Sequence, residues 1–239
     1  DFDVENKDIL MILKSKKILC QCFRFICNLK LNLSFKFNPI MQKLSEADLI
    51  INPDGSIYHL NLLPEDIADT VITVGDLDRV GEISKHFDSI ELKKGKREFI
   101  THTGYLGKKR ITVLSTGIGT DNIDIVFNEL DALVNIDFKT REIKKDLKSL
   151  NIIRVGTSGA IQPDIPMGTI LASTYGLGFD ALMHYYIHEI SGDEHSLLDG
   201  IHAHFSHIKN LHPYITAADH TLLQTIGKNM EHGITITAP

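Results

Sequence analysis

Two arginines lie beside small residues at the ends of predicted strands, where a guanidinium could bind an anion. Arg79 lies in VGDLDRV, residues 74–80, one turn into the helix that follows a glycine-containing turn. Strand ends in open α/β sheets bind ligands, and a helix N-terminus favours an anion. Arg154 interrupts the apolar strand pattern NIIRV, residues 151–155, where an unpaired charge would be costly. Arg154 therefore predicts either a buried carboxylate partner or an anionic ligand.

Three further segments add polar groups to this set. The segment GTSG, residues 156–159, follows Arg154 and offers two hydroxyls and exposed backbone amides. Arg97 lies in GKREFITHTG, residues 95–104, after a lysine-rich patch. STGIGTDN, residues 115–122, is a glycine-rich loop between a strand and a helix. Because this loop matches neither GxGxxG nor GxxxxGK[ST], a dinucleotide site and a P-loop are disfavoured.

Each arginine has an ordinary structural alternative. A solvated side chain after a Gly-Asp turn would explain Arg79, and a solvated charge on an edge strand would explain Arg97. An ion pair with a structural Asp or Glu would explain Arg154. Taken one by one, these residues leave an anion site open without establishing it.

The elements that must position these residues alternate between strand and helix patterns. The predicted strands are Thr70–Val74, Glu98–Thr103, Arg110–Ser115, Asn151–Val155 and Gly168–Thr174. The predicted helices are Arg79–His86 and a segment reaching Leu133, for which Thr120 or Asp121 can act as the cap. Nearly continuous apolar strands with helices between them indicate an α/β fold whose sheet is covered on both faces.

Composition and charge are typical of one α/β domain and do not indicate a nucleic-acid partner or a membrane helix. The 239 residues are 43% hydrophobic and 23% charged, which is ordinary for one α/β domain. The net charge is −6 and no long basic run occurs, so no nucleic-acid partner is expected. The apolar stretch at residues 18–35 is interrupted by Arg24 and Lys30, so no membrane helix is predicted.

Residues 1–40 differ from the rest of the chain. They carry a net charge of +3 within a total of −6, and they hold all three cysteines, Cys20, Cys22 and Cys27. A zinc site would need a fourth ligand at a suitable interval, and none is present. We interpret residues 1–40 as an extension unrelated to the domain at residues 41–239. That domain has no cysteine, as expected of a cytoplasmic protein.

The histidines between residues 184 and 212 could suggest a metal site, because His184 and His188 are spaced i, i+4. There is no HExxH motif and no carboxylate at a ligand-like interval from His184. Surface and loop histidines in a polar insertion are the better interpretation. No metal is predicted from this group.

The last residues, GITITAP at 233–239, have the pattern of an apolar strand. A domain seldom ends on a core strand with nothing to cover it. We therefore expect that a C-terminal part of the domain is missing from this chain.

In their order along the chain, these segments resemble the nucleoside phosphorylase family, which includes purine nucleoside and uridine phosphorylases. The likeness runs from about Ile57 to Pro239 and is closest to the uridine phosphorylase branch. It rests on YHL, GDxDRV, KREF, STGIG and RVGTSGAIQPDIPMG. The resemblance implies a three-layer αβα fold with a mixed, twisted central sheet.

The resemblance also implies a set of site residues. The implied phosphate site consists of Gly75, Arg79, Arg154 and Thr157, with Arg97 supplied by a neighbouring subunit. Among these, Arg79, Arg154 and Thr157 are the implied catalytic residues. His59 matches the histidine lent by a neighbour to the ribose 5′-hydroxyl, and Ser158 and Gly159 match positions that line the ribose and base.

This chain departs from the family pattern at two positions, Leu77 and Asn122. Leu77 occupies the usual proline position in the first motif, which loosens the turn but removes no ligand. Glu98, Ile118 and Asn122 fall where some uridine phosphorylases hold a monovalent cation, although Asn122 replaces the usual serine. Beyond that cation, the resemblance implies no cofactor.

The implied reaction is reversible phosphorolysis of a nucleoside, most closely uridine, to give uracil and ribose 1-phosphate for pyrimidine salvage. Self-association to dimers and hexamers is implied because His59 and Arg97 would act across an interface. A nucleosidase of the same superfamily is one alternative, although it would not need the three arginines. An inactive phosphate-binding fragment is another, because the segment that recognises the pyrimidine has no counterpart here.

Overall fold

The computed structural model describes residues 19–25, 43–186 and 189–238, with the backbone alone described for 19–25. The strands of these residues are β1 Leu19–Phe25, β2 Thr70–Val74, β3 Ser89–Lys96, β4 Phe99–Leu106, β5 Lys109–Ser115, β6 Ile136–Asp137, β7 Glu142–Ile143, β8 Leu150–Gly156, β9 Leu171–Gly178, β10 Tyr214–Ala217 and β11 Glu231–Thr237. The α-helices are α1 Asp78–Ser84, α2 Thr120–Asn135, α3 Gly192–His204 and α4 His220–Thr225.

The chain divides into two compact units. Among the described residues, the first takes in 25 and 43–153, and the second takes in 19–24, 154–186 and 189–238. Apart from the backbone of β1, residues 1–40 lie outside the described residues, so their interpretation as an extension stays a prediction.

The first unit is organised around a mixed sheet. β2 and β5 are parallel, with Val71 opposite Thr112 and Val74 opposite Ser115. β4 is antiparallel to β5, and β3 is antiparallel to β4. All five residues of β2 are buried, which agrees with its unbroken β-branched and apolar sequence.

Helix α2 contributes the main apolar face of the first unit. Val126, Leu130 and Leu133 are buried and are spaced four and three residues apart, so they lie on one side of the helix. Other buried members of the same cluster are Leu60, Leu62, Val71, Phe99, Leu114 and Ile152. Burial of these side chains fixes α2 against the strands that carry the candidate site residues.

The second unit contains another mixed arrangement, centred on β9. β11 runs parallel to β9, β10 runs antiparallel to it, and β1 pairs with it in parallel. Helix α3 begins with a capping box, in which the Ser191 hydroxyl accepts from the Glu194 amide and the Glu194 carboxylate accepts from the Ser191 amide. The same carboxylate accepts the Ala217 amide at 2.7 Å, which ties α3 to β10.

Most predicted elements are present with shifted ends. The strand predicted at Gly168–Thr174 starts at Leu171 and continues to Gly178, because pairing with both β10 and β11 keeps its glycine-rich end extended. The predicted cap of α2 is wrong. Gly119 is the N-cap at φ 100°, and no side chain there bonds to a helix amide. A positive φ is unfavourable for a residue with a Cβ, so glycine takes this position.

Across the described residues, helices fall short of the length and apolar character that crossing a bilayer requires.

One histidine of the first unit is expected to make stability depend on pH. His102 on β4 lies 2.7 Å through Nδ1 from the hydroxyl of the buried Ser84. Burial lowers the pKa of the His102 imidazole from its ordinary value, and the charge of Lys93 lowers it further. The unfolded chain therefore binds this proton at a higher pH than the folded chain does.

We expect the free energy of unfolding to fall as the pH drops below about 6.5 and through the lowered pKa of His102. His102→Gln keeps a polar side chain and removes the titration, so it should flatten this part of the curve. Urea unfolding of the parent chain and of His102→Gln at a series of pH values measures the two pH dependences. Identical pH dependence in the two proteins would show that His102 does not supply the effect.

Candidate functional site

The first predicted anion-binding residues lie at the carboxyl end of β2. Gly75 directly follows this buried strand, and Arg79 lies in the first turn of α1, where its amide donates to the Asp76 carbonyl at 3.2 Å. Both residues are half-buried. The structure therefore places Gly75, which has no side chain, and Arg79, which carries a guanidinium, at one strand end. Their binding of an anion stays a prediction.

The glycine-rich loop after β5 lies beside this strand end. The Thr116 amide donates to the Val74 carbonyl at 2.7 Å, and its hydroxyl donates to the same oxygen at 3.2 Å. Since β2 and β5 are parallel, the segments that follow them emerge at the same edge of the sheet. The two motifs recognised in the sequence, at residues 74–80 and 115–122, are thus neighbours in space.

Arg97 and Glu98 form the two-residue turn of the β3–β4 hairpin, between the paired residues Lys96 and Phe99. Arg97 is exposed and has φ 58°, in the left-handed region that few side chains adopt. The sequence pattern predicted a strand that begins at Glu98. In the structure β4 begins at Phe99, because Glu98 belongs to the turn. The turn presents the Arg97 guanidinium to solvent.

The three candidate cation residues converge on Gly117. A side-chain carbon at Gly117 would lie 2.6 Å from Asn122 Nδ2 and 3.0 Å from Glu98 Cγ. Asn122 Nδ2 donates to the Ile118 carbonyl at 3.2 Å, and the Ile118 side chain is 91% exposed. The residues that the family resemblance grouped, from the motifs at 95–104 and 115–122, therefore lie together. Their oxygens are of the kind that bind hard cations.

His59 is held by a residue that sequence reasoning missed. Its Nδ1 lies 2.7 Å from Oε1 of Glu129, on α2. The same carboxylate accepts the backbone amides of His59 and Leu60, at 2.9 Å and 2.8 Å. Glu129 lies 70 residues from His59 and carries no local motif, so nothing in the sequence pattern pointed to this pair.

A second set of contacts joins the His59 turn to the Arg97 hairpin. Lys96 Nζ donates to the Tyr58 carbonyl and lies 4.0 Å from the centre of the Tyr58 ring. The ring of Phe99 packs edge-on to the His59 imidazole, with 6.4 Å between centres. His59 and Arg97 therefore belong to one connected surface, which we call the His59–Arg97 surface (residues 58–59 and 96–99).

The remaining predicted residues lie in the second unit. Arg154 is half-buried within β8, between the buried Ile153 and Val155, as its position in an apolar strand indicated. Thr157, Ser158 and Gly159 follow the end of β8 and are exposed. Their assembly with Gly75 and Arg79 into a single phosphate site stays a prediction.

Metal coordination finds no support among the residues that the structure describes, where no three His, Cys, Asp or Glu side chains cluster as ligands. His184 Nε2 lies 2.9 Å from the His212 carbonyl, while His202 and His204 occupy the last turn of α3. His188 lies outside the described residues. The polar-insertion interpretation therefore needs one revision, because part of the group is helical.

Comparison with known proteins identifies relatives of this chain. The family model described as the phosphorylase superfamily matches residues 69–239. Uridine phosphorylase of Treponema pallidum is 36% identical over 129 residues, which are 54% of this chain and 45% of that protein. Uridine phosphorylase of Escherichia coli is 34% identical over 134 residues, 55% of this chain and 47% of that protein. The chain thus spans about half the length of the curated relatives it matches.

A solved structure matches a larger share of this chain. The Trypanosoma brucei nucleoside phosphorylase, described as showing uridine phosphorylase activity, superposes with a TM-score of 0.70 at 28% identity. The match covers 80% of this chain and 68% of that one. This likeness confirms the predicted α/β fold of the nucleoside phosphorylase type.

The left-handed backbone of Arg97 generates a prediction about the hairpin. Arg97→Gly and Arg97→Ala both remove the guanidinium, and only alanine retains the unfavourable φ. We expect the glycine variant to be more stable than the alanine variant by about 1 kcal/mol in urea unfolding. An alanine variant as stable as the glycine variant would show that the turn is unstrained.

Proposed function

This chain belongs to the phosphorylase superfamily, and we propose that it catalyses the reversible phosphorolysis of a nucleoside, with uridine as the preferred substrate. Identities of 36% and 34% to two uridine phosphorylases support this substrate. The observation that carries the proposal is the edge formed by the ends of β2 and β5. There Gly75, Arg79 and a glycine-rich loop lie together.

In the proposed reaction, hydrogen phosphate attacks C1′ of the ribose while the bond from C1′ to the base nitrogen breaks, and the departing base takes up the proton that the phosphate loses. The products are the free base and ribose 1-phosphate. Arg79, Arg154 and Thr157 would bind the phosphate dianion, with the amide of Gly75 completing its contacts. Guanidinium groups suit this task because they donate two parallel hydrogen bonds to one anion.

The bound phosphate would also stabilise the positive charge that develops on the ribosyl group. Holding the two reactants together converts a bimolecular encounter into a local one, and fixed charges stabilise a transition state without reorganisation. No nucleophile from the protein is needed. Ser158 and Gly159 would line the ribose and base.

The His59–Arg97 surface supports the further proposal that this enzyme acts as a homo-oligomer. Arg97 is exposed, and contacts from Lys96 to Tyr58 hold its hairpin beside His59. One surface could therefore supply a guanidinium to the phosphate and an imidazole to the ribose 5′-hydroxyl of a neighbouring subunit. The adjacent group of Glu98, Ile118 and Asn122 is the proposed place for a monovalent cation. We propose that the enzyme serves pyrimidine salvage in the cytoplasm.

The direct test is uracil release from uridine by this chain, followed with and without added phosphate. We expect uracil only when phosphate is present. Equal release without phosphate would identify a nucleosidase instead, since water would then accept the ribosyl group. No release from any nucleoside under either condition would reject the activity and favour the inactive fragment.

A substitution at Arg154 tests the role of the guanidinium fork. Arg154→Lys keeps the charge and loses the paired donors, so we expect the phosphate KM to rise roughly 10- to 100-fold, as the loss of a charge-assisted hydrogen bond implies. Arg110→Lys is the matched control, because Arg110 is a half-buried arginine of β5 that bonds Glu91 and the Ile67 carbonyl. A near-normal phosphate KM in Arg154→Lys would count against the assigned role.

A further inference from the structure

The carboxylate of Glu129 is saturated with donors from one short turn. Oε1 lies 2.9 Å from the His59 amide and 2.7 Å from the His59 Nδ1. Oε2 accepts the Leu60 amide at 2.8 Å and the His59 amide at 3.1 Å. Three different nitrogen atoms, two of them backbone amide donors, therefore converge on one acidic side chain.

This arrangement determines which ring nitrogen of His59 carries a hydrogen. A carboxylate that accepts two backbone amides has no hydrogen to donate, so the hydrogen between it and the imidazole belongs to Nδ1. In the neutral ring, the other nitrogen, Nε2, is then a hydrogen-bond acceptor, because the bond made by one nitrogen sets the tautomer.

The plane of the imidazole is fixed as well. The Tyr58 ring packs edge-on to it at 4.8 Å between centres, and Phe99 packs edge-on at 6.4 Å. The side chain of Glu129 is 12% exposed and that of His59 is 27% exposed. The carboxylate is thus mostly enclosed, whereas part of the imidazole remains open to a ligand.

Resting on the proposed function, we propose that Glu129 is a positioning residue that holds His59 in the Nδ1–H tautomer. Nε2 then accepts a hydrogen bond from the ribose 5′-hydroxyl. An acceptor nitrogen requires an O–H donor, so the pair selects nucleosides that keep a free 5′-hydroxyl. Glu129 itself does not touch the substrate and acts only through His59.

The tautomer can be measured on the full chain without any substrate. Nitrogen-15 labelling of the histidines, with two-bond proton–nitrogen NMR spectra, distinguishes a protonated from an unprotonated ring nitrogen. His59→Asn assigns the His59 signals. We expect Nδ1–H in the parent chain. In Glu129→Gln the single amide oxygen takes the Oε2 position, where both backbone amides bind, so the amide NH2 faces Nδ1 and that tautomer is lost. Asp131→Asn makes the same change of group on α2 and leaves an oxygen for Asn135, so it should keep the parent pattern. A His59 with hydrogen on Nε2 in the parent chain would overturn the proposal.

A kinetic comparison tests the consequence for substrate choice. We expect Glu129→Gln to lower kcat/KM for uridine roughly tenfold, as for loss of one hydrogen bond to the substrate, and to leave 5′-deoxyuridine nearly unaffected. In the His59→Ala background the same substitution should not change the ratio between the two substrates. If the role of Glu129 were purely structural, Glu129→Gln would lower kcat/KM for both substrates alike, and that result would overturn the proposal.

The two experiments separate this inference from the proposed function. A parent chain that shows the Nδ1–H tautomer but releases no uracil would support the positioning by Glu129 and reject the phosphorylase activity. Phosphate-dependent uracil release with an unchanged substrate ratio in Glu129→Gln would keep the activity and reject the positioning role.

Discussion

The parallel pairing of β2 with β5 is the constraint on which the candidate site depends. This register sets Val74 opposite Ser115, so the segments after both strands leave the sheet at one edge. One segment turns at Gly75 into α1, and the other turns through a glycine-rich loop into α2. β2 is buried along its length and β5 is buried from Ile111 to Ser115, so the apolar contacts that stabilise the unit also fix the positions of the polar turns.

A second constraint operates through α2. The helix packs its apolar face on the core, and Glu129 reaches from it to the turn at His59. Lys96 then joins this turn to the β3–β4 hairpin. A helix that packs on the core by one face thereby holds the His59 imidazole and, through the His59 turn, the hairpin that carries Arg97. Such indirect positioning is expected where a site must present polar groups without flexible loops of its own.

Local patterns in the sequence predicted the buried elements and missed the rest for physical reasons. Runs of mainly β-branched and apolar residues specify β2, β5 and β8, although Arg154 interrupts the last of them, because strands covered on both faces are mostly apolar. The strand Ser89–Lys96 escaped notice because it is mostly exposed and rich in lysine. Glu129 was missed since its partner lies 70 residues away. Arg79, Arg97 and Arg154 were found because charge at a strand end or inside an apolar run is unusual, although their joint function came only from the family resemblance.

The central claim is that phosphate, rather than water, takes the ribosyl group from the nucleoside. Phosphorus-31 NMR of the chain incubated with uridine and phosphate measures this directly. Phosphorolysis predicts one molecule of ribose 1-phosphate formed, and one of phosphate consumed, for each uracil released. Uracil accompanied by free ribose, with the phosphate signal unchanged, would contradict the claim.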